Sequence, residues 1–458
     1  MRVSRLFVMA ALMALLGLCV AGDLWAQAPP APAPAAPAAT PPPAKIDTGD
    51  TAWVLMSSAL VLLMTAPGLA LFYGGMVRQK NALGTLMHSF IILALISVQW
   101  VLWGYTLAFG PDKGGIIGGL EWAGLRGVGA EPNPAYAATI PHQAFMLFQM
   151  MFAVITPALI TGAFAERKKF STFIIFVLAW ATLVYDPLAH WVWGDGGWLH
   201  KLGALDFAGG TVVHVNAGVA AFVAAVVVGQ RRDYKSSPVL PHNVPFTLLG
   251  AGLLWFGWFG FNAGSALAAN GIAALAFTST MLAPAGTLVV WTMLDVVRTG
   301  KPTAVGCATA IVVGLVAITP AAGFVGPMSA LALGALAAFP SYFGLQFRAR
   351  TSLDDSLDVV AAHGLGGIVG ALLTGVFAQK ALNGVADGVL FGNPAQFGIQ
   401  AVAVLASVVY SGVLTFVLLK LIGAVIPLRA DAVDESSGLD ITQHGEEAYV
   451  HAEGSTVM

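Results

Sequence analysis

Charge is what this chain has least of. Asp, Glu, Lys and Arg together make up 10% of its 458 residues, whereas soluble globular domains carry about 25%. A water-soluble fold with a charged surface is thereby excluded. The charges that are present nearly cancel, at a formal net of −2, so no general attraction to nucleic acid or acidic ligands follows. Cysteine is almost missing too, with only Cys19 and Cys307. Cys19 falls in an expected leader, so no disulfide framework is open to the mature chain. No His-Glu-x-x-His run offers a zinc site, and two isolated histidines make a poor one. No Thr-Val-Gly-Tyr-Gly-like segment offers the carbonyl filter of a potassium-type channel.

What is there is apolar and small. Hydrophobic residues make up 57% of the chain, and 53 residues are Gly, the composition of membrane helices that approach closely through small side chains. Residues 1–28 read as a secretory signal peptide: Arg2 and Arg5, the apolar run Leu6 to Val20, then Ala26-Gln27-Ala28. Residues 29–48 are a Pro/Ala-rich extended linker on the outer side. From Thr51 onward there are eleven apolar segments, approximately 51–76, 82–109, 141–165, 170–189, 207–229, 244–268, 271–297, 303–321, 327–347, 359–379 and 395–427. Each is of the ~20-residue scale that crosses a bilayer as a helix.

The expected architecture is an all-α polytopic membrane protein with eleven transmembrane helices over residues 49–428. With the N-terminus outside, the inner loops hold twelve bases, Arg78, Lys80, Arg167, Lys168, Lys169, Arg231, Arg232, Lys235, Arg298, Lys301, Arg348 and Arg350. The outer loops between helices hold four, Lys113, Arg126, Lys201 and Lys380. That bias sets the orientation and puts the acidic segment 429–458 in the cytoplasm.

Two apolar segments break the pattern in the same way. Asp206 opens one and His214 lies two turns deeper; Asp358 and His363 repeat the arrangement. Ionisable groups at such depth cost at least ~2.5 kcal/mol and face a protein interior or a pore. Five helices lead up to each of these pairs. The spacing predicts an inverted five-plus-five repeat with its site near the midplane. Aromatics gather elsewhere: Tyr185 to Asp195 reads as an outer connection rich in Trp, able to attract a desolvated cation. Phe148 with Phe152, and Phe261 with Ser265, are i, i+4 pairs that share a helix face.

These segments together resemble the Amt/Mep/Rh family of ammonium transporters. The resemblance rests on Gly203 to Asn216, Trp258 to Ser265, Asp358 to Gly364, and Gly438-Leu439-Asp440 with His444-Gly445-Glu446. It implies a homotrimer of eleven-helix subunits, each with its own pore for ammonium or ammonia and for methylammonium as an analogue. It implies an outer recruitment site at Trp193 and Ser265, surrounded by Phe148, Trp258 and, with less weight, Tyr185. Phe152 and Phe261 would form a gate, His214 and His363 a pore relay, and Asp206 with Asp358 the structural acids. Gly438, Leu439, Asp440 and His444 would belong to a regulatory tail on which a PII-type signal protein docks. No cofactor, metal or enzymatic activity is implied. A sensor using the same pore residues is the alternative.

Overall fold

A computed structural model describes residues 45–237 and 239–449. The expected signal peptide, most of the linker and the last residues of the tail lie outside that range. Eleven long helices form the body: α1 Thr48–Met76, α2 Gln79–Phe109, α3 His142–Phe164, α4 Phe170–Leu202, α5 Gly210–Val228, α6 Val244–Gly264, α7 Gly271–Thr299, α8 Ala304–Ile318, α9 Pro327–Arg348, α10 Val360–Phe377 and α11 Ala395–Val425. Among the described residues ten are long and apolar enough to cross a membrane, and α8 is the shorter exception. Met56, Val98, Phe256 and Leu405 point outward from four of them, as lipid-facing positions do. The chain is a multi-pass membrane protein.

Small residues set the close contacts. Gly257 and Gly264 face Met64 and Ser57, so a Cβ at either would strike α1. Gly218 of α5 and Gly364 of α10 meet backbone to backbone where those two helices cross. The crossing has a reciprocal partner, since Gly367 of α10 lies against His214 and Val215 of α5. Gly218 and Gly367 each lie four residues after a histidine, His214 and His363.

Several helices widen into π turns, which shift the face presented beyond them. The two that matter here are Gly210–Val215 and Val360–Leu365, each carrying one of the two histidines. Long α11 braces the first of these. Ser407 and Ser411 donate to the Thr211 and Asn216 carbonyls at 3.1 and 2.9 Å.

The aromatic stretch expected to be an outer connection is helical. Tyr185 closes a π turn and Asp186–Trp193 continues as α-helix, with Pro187 in its first turn. Proline has no N–H to give the preceding turn, and the π turn just before it widens the helix at that point. Beside this end of α4 lies a small hairpin, β1 (Asp112–Lys113) and β2 (Ile117–Gly118). His190 holds it, with Nε2 3.0 Å from Asp112 Oδ1.

The opposite end carries an ion-pair network. Glu166 bridges Arg78 and Arg231, both at 2.9 Å, and Arg231 reaches Asp354 at 2.7 Å. Burial alone would raise both carboxyls, but the arginines hold Glu166 and Asp354 below the usual carboxylate range. Four inter-helix loops are joined in this way. Over them lie α12 (Ala432–Ser437) and α13 (Leu439–His444). Asp440 accepts the backbone N–H groups of Leu83 at 2.9 Å and Gly84 at 2.7 Å. The tail thus supplies the start of α2 with acceptors for N–H groups that lack helical partners.

Candidate functional site

The site is built along α3, α5, α6 and α10. Helix α3 descends from His142, and α6 ascends toward Ser265. Phe152 and Phe261 therefore meet mid-way, with ring centroids 4.3 Å apart and planes at 34°. Trp193 meets Phe152 edge-on at 5.7 Å. Phe148, one turn above, packs edge-on against Phe152 at 5.0 Å and is fully buried.

Above the two phenyl rings a vestibule opens, lined by Tyr136, Gln149, Trp193 and Ser265 among others. Its polar atoms have defined directions. Trp193 Nε1 donates to the Asp206 carbonyl at 2.8 Å, which fixes the indole plane. Ser265 Oγ donates to the Phe261 carbonyl at 2.9 Å, so its lone pairs stay free for an incoming N–H donor. An aromatic face beside an acceptor-only oxygen suits a small cation that carries N–H groups.

Below the rings lies a second, apolar chamber, a narrow cavity of about 10 Å³, lined by Leu254, Trp258, Phe261, His214 and His363 among others. The two imidazoles approach through Nδ1 at 3.3 Å, with centroids 5.4 Å apart. Trp258 stacks on His214 at 5.4 Å and 27°. The phenyl pair thus separates a polar mouth from a nearly hydrocarbon interior.

Three expected placements change. Trp258 does not surround the outer site. It lies seven residues before Ser265, about 10 Å deeper on a helix that rises 1.5 Å per residue, and faces the lower chamber. Tyr185 is fully buried beside Trp100, 6.3 Å between centroids, and contributes nothing to the vestibule lining. Asp358 is not the second half's counterpart of Asp206. It pairs with Arg348 at 2.6 Å, and its backbone takes φ 60°. The counterpart is Asp355, eight residues before His363 as Asp206 is eight before His214. Asp355 Oδ2 accepts the Val360 N–H at 2.7 Å. Asp206 accepts from Gly209 at 2.8 Å, Gly210 at 2.5 Å, Thr211 at 2.8 Å and Val212 at 3.2 Å, and also from the Thr211 hydroxyl. The equal spacing is present in the sequence, where Asp355 stands between two other acids, Asp354 and Asp358, that differ from it only in position.

A family model described as the Ammonium Transporter Family matches residues 52–449. The chain belongs to the ammonium transporter family. An ammonium transporter of Bacillus subtilis is 50% identical over 403 residues, spanning 88% of this chain and 98% of that one. An ammonium transporter of Aquifex aeolicus is 48% identical, covering 89% of this chain and 94% of its own. Among solved structures, Mep2 of Saccharomyces cerevisiae aligns with TM-score 0.80 at 36% identity, over 86% of this chain and 90% of that one. A structure described as a sensor Amt protein aligns with TM-score 0.81 at 32% identity, over 86% and 98%. Among the described residues no group of three or more His, Cys, Asp or Glu could hold a metal ion.

Proposed function

We propose that the chain carries ammonium across the membrane by parting it from its proton at the phenyl pair. Ammonium is recruited in the vestibule, where Ser265 accepts one of its N–H groups and Trp193 supplies a π face. The proton is left near Phe152 and Phe261, because a bare cation in the apolar chamber would meet the burial cost of charge in a membrane interior. Neutral ammonia then passes Trp258, His214 and His363, and the imidazole pair relays the proton, each ring being donor and acceptor at once. Phe148 backs the gate. The observation that carries this reading is the stacked phenyl pair standing between a polar mouth and an apolar chamber that holds two bonded imidazoles.

In this reading α8 crosses with the other ten helices, giving eleven spans. The vestibule and Asp47 face outward and the tail faces the cytoplasm. The paired π turns and the reciprocal glycine contacts at Gly218 and Gly367 support an inverted five-plus-five repeat. The family resemblance extends the proposal to a homotrimer in a bacterial inner membrane, with Gly438, Leu439, Asp440 and His444 in a tail that answers to a PII-type protein. The likeness to a sensor Amt protein favours one second reading, in which the same pore reports ammonium rather than supplying it.

The deciding experiment is ammonium and methylammonium flux into liposomes that hold the purified full-length chain, compared with His214→Ala. Flux through the intact chain that falls about a hundredfold in the variant, the low range for a positioned proton-transfer group, supports transport. A folded intact chain with no flux above empty liposomes leaves the sensor reading.

A further inference from the structure

Behind the lower chamber, in contact with Trp258 and His214 of its lining, stands a hydroxyl that the conduction account above does not use. Thr319 follows the last residue of α8, precedes Pro320, and is fully buried. Its Oγ1 lies within bonding distance of three groups, and each bond has only one possible direction.

The first bond is set by the helix end. The last turn of α8 tightens, so that the Thr319 N–H goes to the Val316 carbonyl at 3.3 Å. The Leu315 carbonyl, which an α-helical N–H would have taken, accepts the Thr319 hydroxyl at 2.7 Å instead. A hydroxyl has a single proton, so Oγ1 can thereafter only accept. The second bond agrees: Trp258 Nε1, which can only donate, reaches Oγ1 at 2.9 Å. The third group is His214 Nε2 at 3.3 Å. With the hydroxyl proton spent on Leu315, this contact is a bond only if Nε2 carries hydrogen.

A neutral imidazole has one N–H, so Nδ1 of His214 is then bare. That nitrogen faces Nδ1 of His363 at 3.3 Å, and the pair bonds only if His363 holds its proton there. Nε2 of His363 makes no hydrogen bond among the described residues. We propose that Thr319 is a positioning residue that fixes the tautomers of both pore imidazoles. His214 is held as the Nε2–H form and His363 as the Nδ1–H form, so the free basic nitrogen of the neutral pair is Nε2 of His363. The pair is thereby polar in one sense along the path, its lone pair presented by the second imidazole and never by the first. This assignment rests on reading the chamber as the conduction path.

Nitrogen NMR of histidine-labelled full-length protein in liposomes tests it, with the two pore residues assigned by difference from His214→Asn and His363→Asn. The expected spectrum has hydrogen on Nε2 of His214 and on Nδ1 of His363. Thr319→Val keeps the side-chain shape and removes the acceptor. It should give mixed tautomers at both rings and lower ammonium flux by about five- to tenfold, the scale of one lost hydrogen bond. Thr319→Ser should restore both signals and rate. Hydrogen on Nδ1 of His214 in the intact chain overturns the assignment, and that reading needs no variant to fold. So does a Thr319→Val protein with unaltered spectrum and flux, or a Thr319→Ser protein no better than Thr319→Val. The expected tautomers in a chain that moves no ammonium would uphold Thr319 and sink the transport reading instead.

Discussion

Asp206 and Asp355 hold the same place in the two halves of the molecule. Each stands eight residues before a pore histidine, and each accepts the N–H of the residue five places on, Thr211 at 2.8 Å and Val360 at 2.7 Å. Between acid and helix, three residues after the acid, the chain turns through positive φ, 113° at Gly209 and 60° at Asp358. A carboxylate over the first turn satisfies N–H groups that have no helical partner and complements the positive end of the helix dipole. It does so here for the two helices that carry the imidazoles.

The acids should therefore rank by how many backbone donors they serve. Asp206→Ala strands several buried N–H groups and should cost about 3 kcal/mol, with loss of flux. Asp355→Ala should cost about 1.5 kcal/mol. Asp358→Ala breaks a partly exposed ion pair and should cost less than ~1 kcal/mol. Unfolding midpoints in detergent give the order, and a larger loss at Asp358 than at Asp206 would overturn this reading of both acids.

The crossing of α5 and α10 gives an asymmetric pair of glycine variants. A Cβ at Gly218 would drive into the Gly364 backbone, whereas a Cβ at Gly364 would stand 3.6 Å from Gly218 Cα, an ordinary contact. Gly218→Ala should lose about 2 kcal/mol or more, as overpacking against rigid neighbours does. Gly364→Ala should fall within about 0.5 kcal/mol of the parent. Thermal unfolding of the two variants side by side is the check, and equal midpoints would refute the contact.

Lys168 offers a test by pH. Its Nζ is buried 5.6 Å from the Phe164 ring and 5.4 Å from the Phe176 ring, with no hydrogen-bond partner among the described residues. Burial pulls its pKa from 10.5 down to about 7. The unfolded chain then binds the proton more readily than the folded one across that interval, so this lysine's penalty is full below about 7 and fades as the pH approaches 10.5. Lys168→Met should raise stability by a few kcal/mol, on the order of the shift, when measured at neutral pH, and by progressively less in alkaline buffer. A gain independent of pH would assign the effect to packing alone.

The tail can be undocked by one substitution. Gly438 turns through φ 113°, and a Cβ there would meet the Lys80 carbonyl. Gly438→Asp adds strain of about 1–2 kcal/mol at that backbone and forces apart a contact that Asp440 and Leu439 depend on. The expected results are faster proteolysis between 429 and 449 and reduced flux, with every vestibule and chamber residue intact. Parental protease resistance together with parental flux would count against a coupled tail.

Much of this could be read from the chain because lipid imposes a simple rule. Apolar runs of spanning length located all eleven long helices, and the two histidines stood out against them. Spacing pairs Phe148 with Phe152 and Phe261 with Ser265, and only the family resemblance sets Phe152 against Phe261, whose ring centroids lie 4.3 Å apart. What escaped was whatever depends on helix direction and register. The family resemblance sets Trp258 beside Ser265, although the rise between them places it in another chamber. The π turns shift faces without leaving a mark in composition. Glu166 and Asp354 carry no signal in the chain, because the arginines they pair with lie 65 to 123 positions away in sequence. Thr319 gave no signal, as a threonine ending an apolar helix is ordinary until Trp258 and His214 are seen to converge on it.

The seam at Gly218 and Gly364 also bears on the motion by which the proposed transport would occur. A rocking carrier exposes its cargo to one side at a time by letting two bundles slide, exchanging one set of interlocked side chains for another. Here the crossing is made by glycine backbone at Gly218 and Gly364 and by Gly367 against His214, and the loop ends of both bundles are tied by Glu166, Arg231 and Asp354. On the proposed path the groups that must give way are the rings of Phe152 and Phe261, which are themselves buried. In the proposed reading, throughput would follow how often those rings part, and cargo on the far side would give no acceleration of the kind that speeds an alternating-access exchanger.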